Sequence, residues 1–365
     1  MKPLLSLLLL ASAFAAQAAG PSAVALADRA LWPEPIASPA SFDRASRAEI
    51  LLFAAAWDAP SSQPPAKPAS REALNRIRAK FSGHLLASWR AASAACTPQE
   101  RFCGPYNTLP ELAAAGRALG QSLPANYRPW HANATLFHQR YAAELNRLAA
   151  LFPKISSEID TYSPAERSGF ELPDRHFLWS FDDGPTAPKG DTDALLRTLA
   201  QTDIHALFFV LGEPLDTRAR RAEATPIAQT YQGQCVALHG WQHRPHTQWP
   251  GWQASVIDTQ NLVKRLLPQQ YRPWFRPPYG QRLPDSGAFF SQHGLQVALW
   301  NIDSQDWNGK VSADAAAQRV MALMLLWRHG VMLFHDIHPK AQTALPWLLA
   351  QTQKAGVVWE DCRQY

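Results

Sequence analysis

Apolar residues recur at helical spacing over residues 41–57, 70–95, 108–119 and 134–152, which predicts a first half made mainly of α-helices. Two starts carry a capping signature: Thr108-Leu109-Pro110-Glu111 and Ser163-Pro164-Ala165-Glu166 both place Glu three residues after a hydroxyl. The Pro- and Ser-rich stretch 60–70 interrupts the pattern and predicts a loop between helices, since helical spacing resumes on both sides. From about residue 174 the pattern changes. Short apolar, β-prone runs now alternate with helical stretches, which predicts parallel β/α units. The expected strands are Phe177–Phe181, Ala206–Leu211, Cys235–His239, Trp274–Arg276, Val297–Ile302, Val331–His335 and Val357–Trp359, with helices such as Asp193–Gln201, Ala254–Leu267 and Asp314–Arg328 between them. Seven parallel strands in this arrangement suit a closed or nearly closed α/β barrel, here over residues 173–365, preceded by a mainly helical domain over residues 20–172.

The extreme N-terminus departs from both patterns. Lys2, an apolar run over residues 4–16 and the small-x-small triplet Ala16-Gln17-Ala18 predict a secretory signal peptide over residues 1–19. That run is too short to stay in a bilayer as a spanning helix, so a periplasmic or extracellular protein without a membrane span is expected after cleavage. Four cysteines suit such an oxidising compartment. Cys96 and Cys103 bracket a short polar loop and are expected to pair, which leaves Cys235 and Cys362 either to pair with each other or to remain buried thiols.

Composition is ordinary for a globular chain and excludes a disordered one. The net charge of +5 lies outside the second half: residues 20–170 hold 16 basic against 12 acidic side chains, whereas residues 171–365 hold 18 of each. The densest basic run is Arg71, Arg76, Arg78, Lys80 and Arg90, expected as a solvated helix face that an acidic polymer would also find attractive. Nucleic acid is not an expected partner of an exported chain with so modest a charge. Trp32, Trp57, Trp89 and Trp130 are expected in the core.

Candidate chemistry is confined to the second half. The strand Phe177–Phe181 runs into Asp182 and Asp183, two carboxylates that alternate in direction at a strand end before Gly184-Pro185 breaks it. His239 and His243 follow at the end of another strand; four apart, they share a face where the chain turns helical, and with one carboxylate they make a three-ligand metal set. His246 and His338 are expected as solvated surface residues. Three further stretches come in order: Arg276-Pro277-Pro278-Tyr279-Gly280, Asp303-Ser304-Gln305-Asp306-Trp307 and Leu333-Phe334-His335.

Together these five stretches resemble the ordered motifs of the NodB-type polysaccharide deacetylases, carbohydrate esterase family four, over about residues 174–365. The resemblance implies a distorted β/α barrel and a zinc ion, or another divalent transition metal, held by Asp183, His239 and His243. It makes Asp182 the base that deprotonates the attacking water and Arg276 the partner that fixes this base. His335 is implied as the acid that protonates the departing nitrogen, with Asp306 as the carboxylate that keeps it charged; Asp303 is equally acidic, and only geometry separates the two. Tyr279 is implied to offer its backbone amide to an oxyanion, and Trp307 and Leu333 to wall the acetyl pocket, although both residue types also suit simple packing. The implied substrate is an N-acetylated polysaccharide or oligosaccharide, acted on by a monomer. An O-acetyl esterase, for instance on xylan, is the alternative on the same scaffold, and a non-catalytic carbohydrate-binding module has no need of Asp182, Arg276 or His335. Gly240 departs from the pattern, which has Ser or Thr there to brace the His loop; its loss predicts a looser His243. Ser180 stands where the pattern more usually has Thr, a change with little chemical consequence.

Overall fold

The computed structural model describes residues 23–59, 68–221 and 226–365. The predicted signal peptide and most of the Pro- and Ser-rich loop therefore lie outside the described residues; Pro68, Ala69 and Ser70, expected in that loop, already belong to a helix. Four helices build the first half: α1 (Pro39–Asp58), α2 (Pro68–Ser93), α3 (Leu109–Ser122) and α4 (Arg128–Leu151). Capping boxes start α1 at Ser38 and α3 at Thr108, each with a Pro in the first turn where no amide is missed. The second predicted box, at Ser163, starts no helix. Glu166 does accept from the Tyr162 amide at 2.9 Å, but its carboxylate is also held by Arg282, and the segment stays irregular.

The second half alternates β1 (His176–Asp182), α5 (Asp191–Leu199), β2 (Leu207–Val210), α6 (Gly212–Ala219), α7 (Ile227–Thr230), β3 (Cys235–Leu238), α8 (Trp252–Leu266), β4 (Tyr271–Phe275), α9 (Gly287–Gln292), β5 (Gln296–Val297), β6 (Ile302–Asp303), α10 (Ala313–Trp327), β7 (Gly330–His335), α11 (Lys340–Thr352) and β8 (Val358–Trp359). Seven strands follow the order β5-β4-β3-β2-β1-β7-β6, all pairs parallel, and β8 adds beside the start of β1. This is the distorted β/α barrel expected from the sequence.

One expected strand is corrected. The run Val297–Ile302 reads as a single strand because it is apolar but for Asn301, yet its ends fall in β5 and β6 on opposite edges of the sheet. The residues between them cross the gap: the Ala298 amide donates to Phe275, Leu299 to Arg167 and Asn301 to Val331. An apolar run marks burial, and here burial accompanies closure of the barrel rather than a straight strand.

The helices share one apolar core with the barrel. Trp327, at the end of α10, packs edge-on against Phe53, Phe81 and Phe170 and donates its indole N–H to Tyr141 at 3.0 Å. Arg328 then reaches both Asp174 oxygens at 2.7 Å and Asp43 at 2.9 Å. The basic run lies on α2 as expected, but it is not simply a solvated face. Arg76 and Lys80 both hold Asp160, and Arg78 bonds Asn146 at 2.7 Å over the Trp57 ring. Trp32, Trp57, Trp89 and Trp130 are all buried, and both cysteine pairs, Cys96–Cys103 and Cys235–Cys362, are disulfides.

Candidate active site

Every motif sits at a strand C-terminal end, where the parallel sheet opens. Register places Asp182 level with His335 across β1 and β7. Asp182 ends β1 in extended backbone, and Asp183 turns away with a φ of 80°, so the two carboxylates part in direction. Behind them Asp336 accepts from the Gly184 amide and from the Thr192 hydroxyl, both at 2.8 Å. Gly184 lies so close that a Cβ there would meet the Asp336 carboxylate at 2.0 Å. Burial, aided by the Asp183 charge, pushes Asp336 up to about 7. The sequence signal for this residue was a carboxylate directly after His335 in an otherwise apolar strand end.

Asp183, His239 and His243 are brought together, with one ligand atom of each within 4.8 Å of the others. His239 Nε2 lies 3.3 Å and His243 Nε2 3.6 Å from Asp183 Oδ1. Ligands about 2.0–2.1 Å from a tetrahedral centre stand about 3.3 Å apart, so the spacing suits zinc. Two further observations support that fit. The Asp183 Oδ1 atom is buried without a hydrogen-bond partner. His239 Nδ1 is 2.7 Å from the Arg276 carbonyl, which only accepts, so Nδ1 carries the proton and Nε2 is left as a bare donor to a metal. Burial lowers His243 to about 4 and keeps it a neutral ligand as well.

Arg276 is fully buried and lies over the Phe209 ring. It donates to Asp182 at 2.7 Å and Ser180 at 2.9 Å, and to the carbonyls of Ala298 and Leu299 at 3.1 Å. Asp306, not Asp303, pairs with His335: Oδ1 is 2.7 Å from Nδ1, and Oδ2 accepts the His335 amide at 2.8 Å. Burial opposes a charge on His335, but Asp306 first, then Asp183 and Asp182, raise it to about 10. Asp303 instead accepts the Gln305 amide at 2.7 Å.

Tyr279 adopts left-handed backbone at φ 59° and sets its ring edge-on to His243 at 4.4 Å. Leu333 and Trp307 both line the cavity; Leu333 is buried and Trp307 exposed. His246, expected on the surface, is buried instead and stacks on Phe275.

That stack explains Gly240. Its φ of +87° is left-handed, and a Cβ there would stand 3.1 Å from both the His246 ring and the Ser255 hydroxyl. Ser255, on α8, accepts the Trp241 amide at 2.7 Å and so supplies the loop brace from a different residue. Gly240→Ser is therefore expected to cost about 1–3 kcal/mol of stability and about tenfold in zinc affinity, read as a lowered Tm and a competitive zinc titration. Unchanged values would show that the brace belongs at position 240 after all.

The cavity, about 220 Å³, has a wall that the motifs did not announce. Leu148, Leu151, Ile155, Ser156, Ser157 and Glu158, from α4 and the segment after it, face Asp182, Asp183 and His335 across it. Arg282 fastens this wall, donating to the Ser157 and Asp160 carbonyls at 2.9 and 2.8 Å while pairing with Glu166.

Fold and site together define a β/α-barrel protein in which an Arg276–Asp182 pair and an Asp306–His335 pair flank a His/His/Asp cluster. Residues 171–298 match the family model described as polysaccharide deacetylase, and the resemblance to the NodB-type family holds over that part of the barrel. A peptidoglycan-N-acetylmuramic acid deacetylase of Bacillus subtilis is 31% identical over 180 residues, 48% of this chain and 36% of the relative. A peptidoglycan-N-acetylglucosamine deacetylase of Bacillus cereus is 28% identical over 224 residues, 59% of this chain and 77% of the relative. The chain thus spans about a third of the first relative's length and three quarters of the second's. The solved structure of a peptidoglycan N-acetylglucosamine deacetylase aligns with a TM-score of 0.48 at 22% identity, covering 54% of this chain and 90% of that one.

Proposed function

We propose that this chain is an exported, zinc-dependent hydrolase that removes acetyl groups from N-acetylated sugars of a polysaccharide. The observation that carries the proposal is the placement of the Arg276–Asp182 and Asp306–His335 pairs on one cavity with Asp183, His239 and His243. The relatives' own substrates, N-acetylated glycans by name, support it.

Asp183, His239 and His243 would hold the ion, which when bound acts as a Lewis acid and makes water nucleophilic near neutral pH. Asp182, oriented by Arg276, takes the proton from the attacking water. His335 enters the reaction as imidazolium and gives its Nε2 proton to the sugar nitrogen as the C–N bond breaks, which lets a poor amine leave. The Tyr279 amide donates to the developing oxyanion, and Leu333 and Trp307 receive the acetyl methyl. The mature protein is proposed to work as a monomer outside the cytoplasm. None of its described helices is long and apolar enough to cross a membrane.

Acetate release by the zinc-loaded mature protein from chitin oligosaccharides, poly-N-acetylglucosamine, peptidoglycan and acetylxylan tests this. Release from an N-acetylated glycan is the expected result. Release from acetylxylan alone would make the protein an O-acetyl esterase, and silence on all four despite bound zinc would remove the glycan assignment.

A further inference from the structure

Beyond the His/His/Asp cluster the cavity is lined by Glu158, Trp300, Asp303 and Gln305, and the same four bound an adjoining recess of about 40 Å³. Two of them carry buried polar atoms with no protein partner. Gln305, 3% exposed, has a carboxamide Oε1 that accepts nothing, and Trp300, 7% exposed, has an indole N–H that donates to nothing. Buried polar groups are ordinarily paired, so these two point to a ligand that both donates and accepts.

Carboxylates outnumber cations around them: Glu144, Glu158 and Asp303 line the recess beside the one lining cation among the described residues, Arg319. Asp303, Glu144, Arg147, the Ser157 hydroxyl and its own amide surround Glu158, and burial followed by Asp303 pushes it up to about 8, so that it is largely protonated at neutral pH until a cation binds beside it and draws it back to the carboxylate. Glu144 is held by Arg147 in a two-point contact at 2.8 and 2.9 Å. Arg319 spends its guanidinium on the carbonyls of Asp303 and Ala25, at 2.8 and 2.9 Å. Glu158 and Asp303 are thus left without a cation bonded to their carboxylates among the described residues. Nor do they form a metal cage. Among the described residues, Asp183, His239 and His243 are the group of three whose ligand atoms lie within 4.8 Å of one another.

We propose that this end of the cleft is a subsite for a hexosamine unit whose amine is free, so that the enzyme acts on glycans already partly deacetylated. An ammonium group offers three donors, and Glu158, Asp303 and Gln305 Oε1 are its acceptors; a ring hydroxyl oxygen accepts from Trp300. The same field disfavours sugars that carry a carboxylate. The subsite names a substrate for the deacetylase function proposed above and rests on it, but its binding does not require turnover.

The test therefore has two readouts on the zinc-loaded mature protein. Calorimetric binding of a fully deacetylated chitosan oligosaccharide is expected to weaken about tenfold in Glu158→Gln, and less in Gln305→Leu, which removes an acceptor but no charge. In kinetics, the wild type is expected to favour an oligosaccharide with one free amine over the fully acetylated one by about tenfold in kcat/KM. Glu158→Gln is expected to collapse that ratio through KM. Chitosan binding that is identical in wild type and Glu158→Gln, or a wild type that favours the fully acetylated oligosaccharide, would overturn the subsite. Glu158-dependent chitosan binding with no acetate release from any substrate would keep the subsite and remove the deacetylase function.

Discussion

Asp182→Asn is expected to lower kcat by about 10²–10⁴ at neutral pH while zinc content stays at the wild-type level. Asp182 is not one of the clustered ligands, so the substitution leaves Asp183, His239 and His243 in place. Its carboxylate ends β1 and receives the Arg276 guanidinium at 2.7 Å. Asn keeps an oxygen for that hydrogen bond but cannot take a proton from water, so the loss falls on the chemical step rather than on binding. The substitution also strands a buried cation. Breaking a buried ion pair by removing one charge costs about 3–5 kcal/mol, and the retained acceptor places Asn at or below that range. Kinetics must therefore be read beside a melting curve and a metal assay. A folded, metal-replete variant within about threefold of wild-type kcat would show that the base lies elsewhere.

The candidate site residues were legible because they are chemically conspicuous and local. Asp182-Asp183, His239 with His243, Arg276 and His335 stand at or just after the end of an apolar run, and a strand end in a parallel barrel is an address that sequence can state. The choice between Asp303 and Asp306 was not legible. Both follow the same strand, and only the turn between them decides which carboxylate meets His335.

The second wall was hidden for a different reason. Ser157 and Glu158 follow a helix that shows no catalytic pattern, and they reach the cavity only because Arg282, more than a hundred residues later, ties their backbone down. Long-range placement by one guanidinium leaves no periodic trace. The same competition explains the failed box at Ser163, whose Glu166 serves Arg282 as well as a local amide. His246 was misplaced because a polar run suggested solvent, whereas its ring fills space that a glycine at 240 leaves open.

Asp306→Asn is expected to move the alkaline limit of activity down by several pH units, with little change in the acid range. Wild-type His335 is raised to about 10 against the opposing effect of burial, and Asp306 is the largest of the groups that raise it. A raised value means that the imidazolium persists until pH rises through about 10, so the acid is present throughout the neutral range. Asn retains a hydrogen-bonding oxygen but supplies no charge, and His335 then falls toward its ordinary value of about 6.5. At pH 8 about 3% of the imidazole would be protonated, a loss of about 30-fold, and at pH 9 about 300-fold, whereas at pH 6 the two enzymes should differ by less than about twofold. A cation among Asp183, His239 and His243 lowers His335 in both forms alike, which shifts both limbs and preserves their separation. Asp303→Asn is the matched comparison, since its carboxylate accepts from the Gln305 amide rather than from His335, and it should move the limb by much less than Asp306→Asn does. Profiles of kcat against pH from 5 to 10 decide the matter. Parallel curves for Asp306→Asn and wild type would mean that Asp306 only holds the loop, and that the proton reaching the leaving nitrogen is not kept on His335 by this carboxylate.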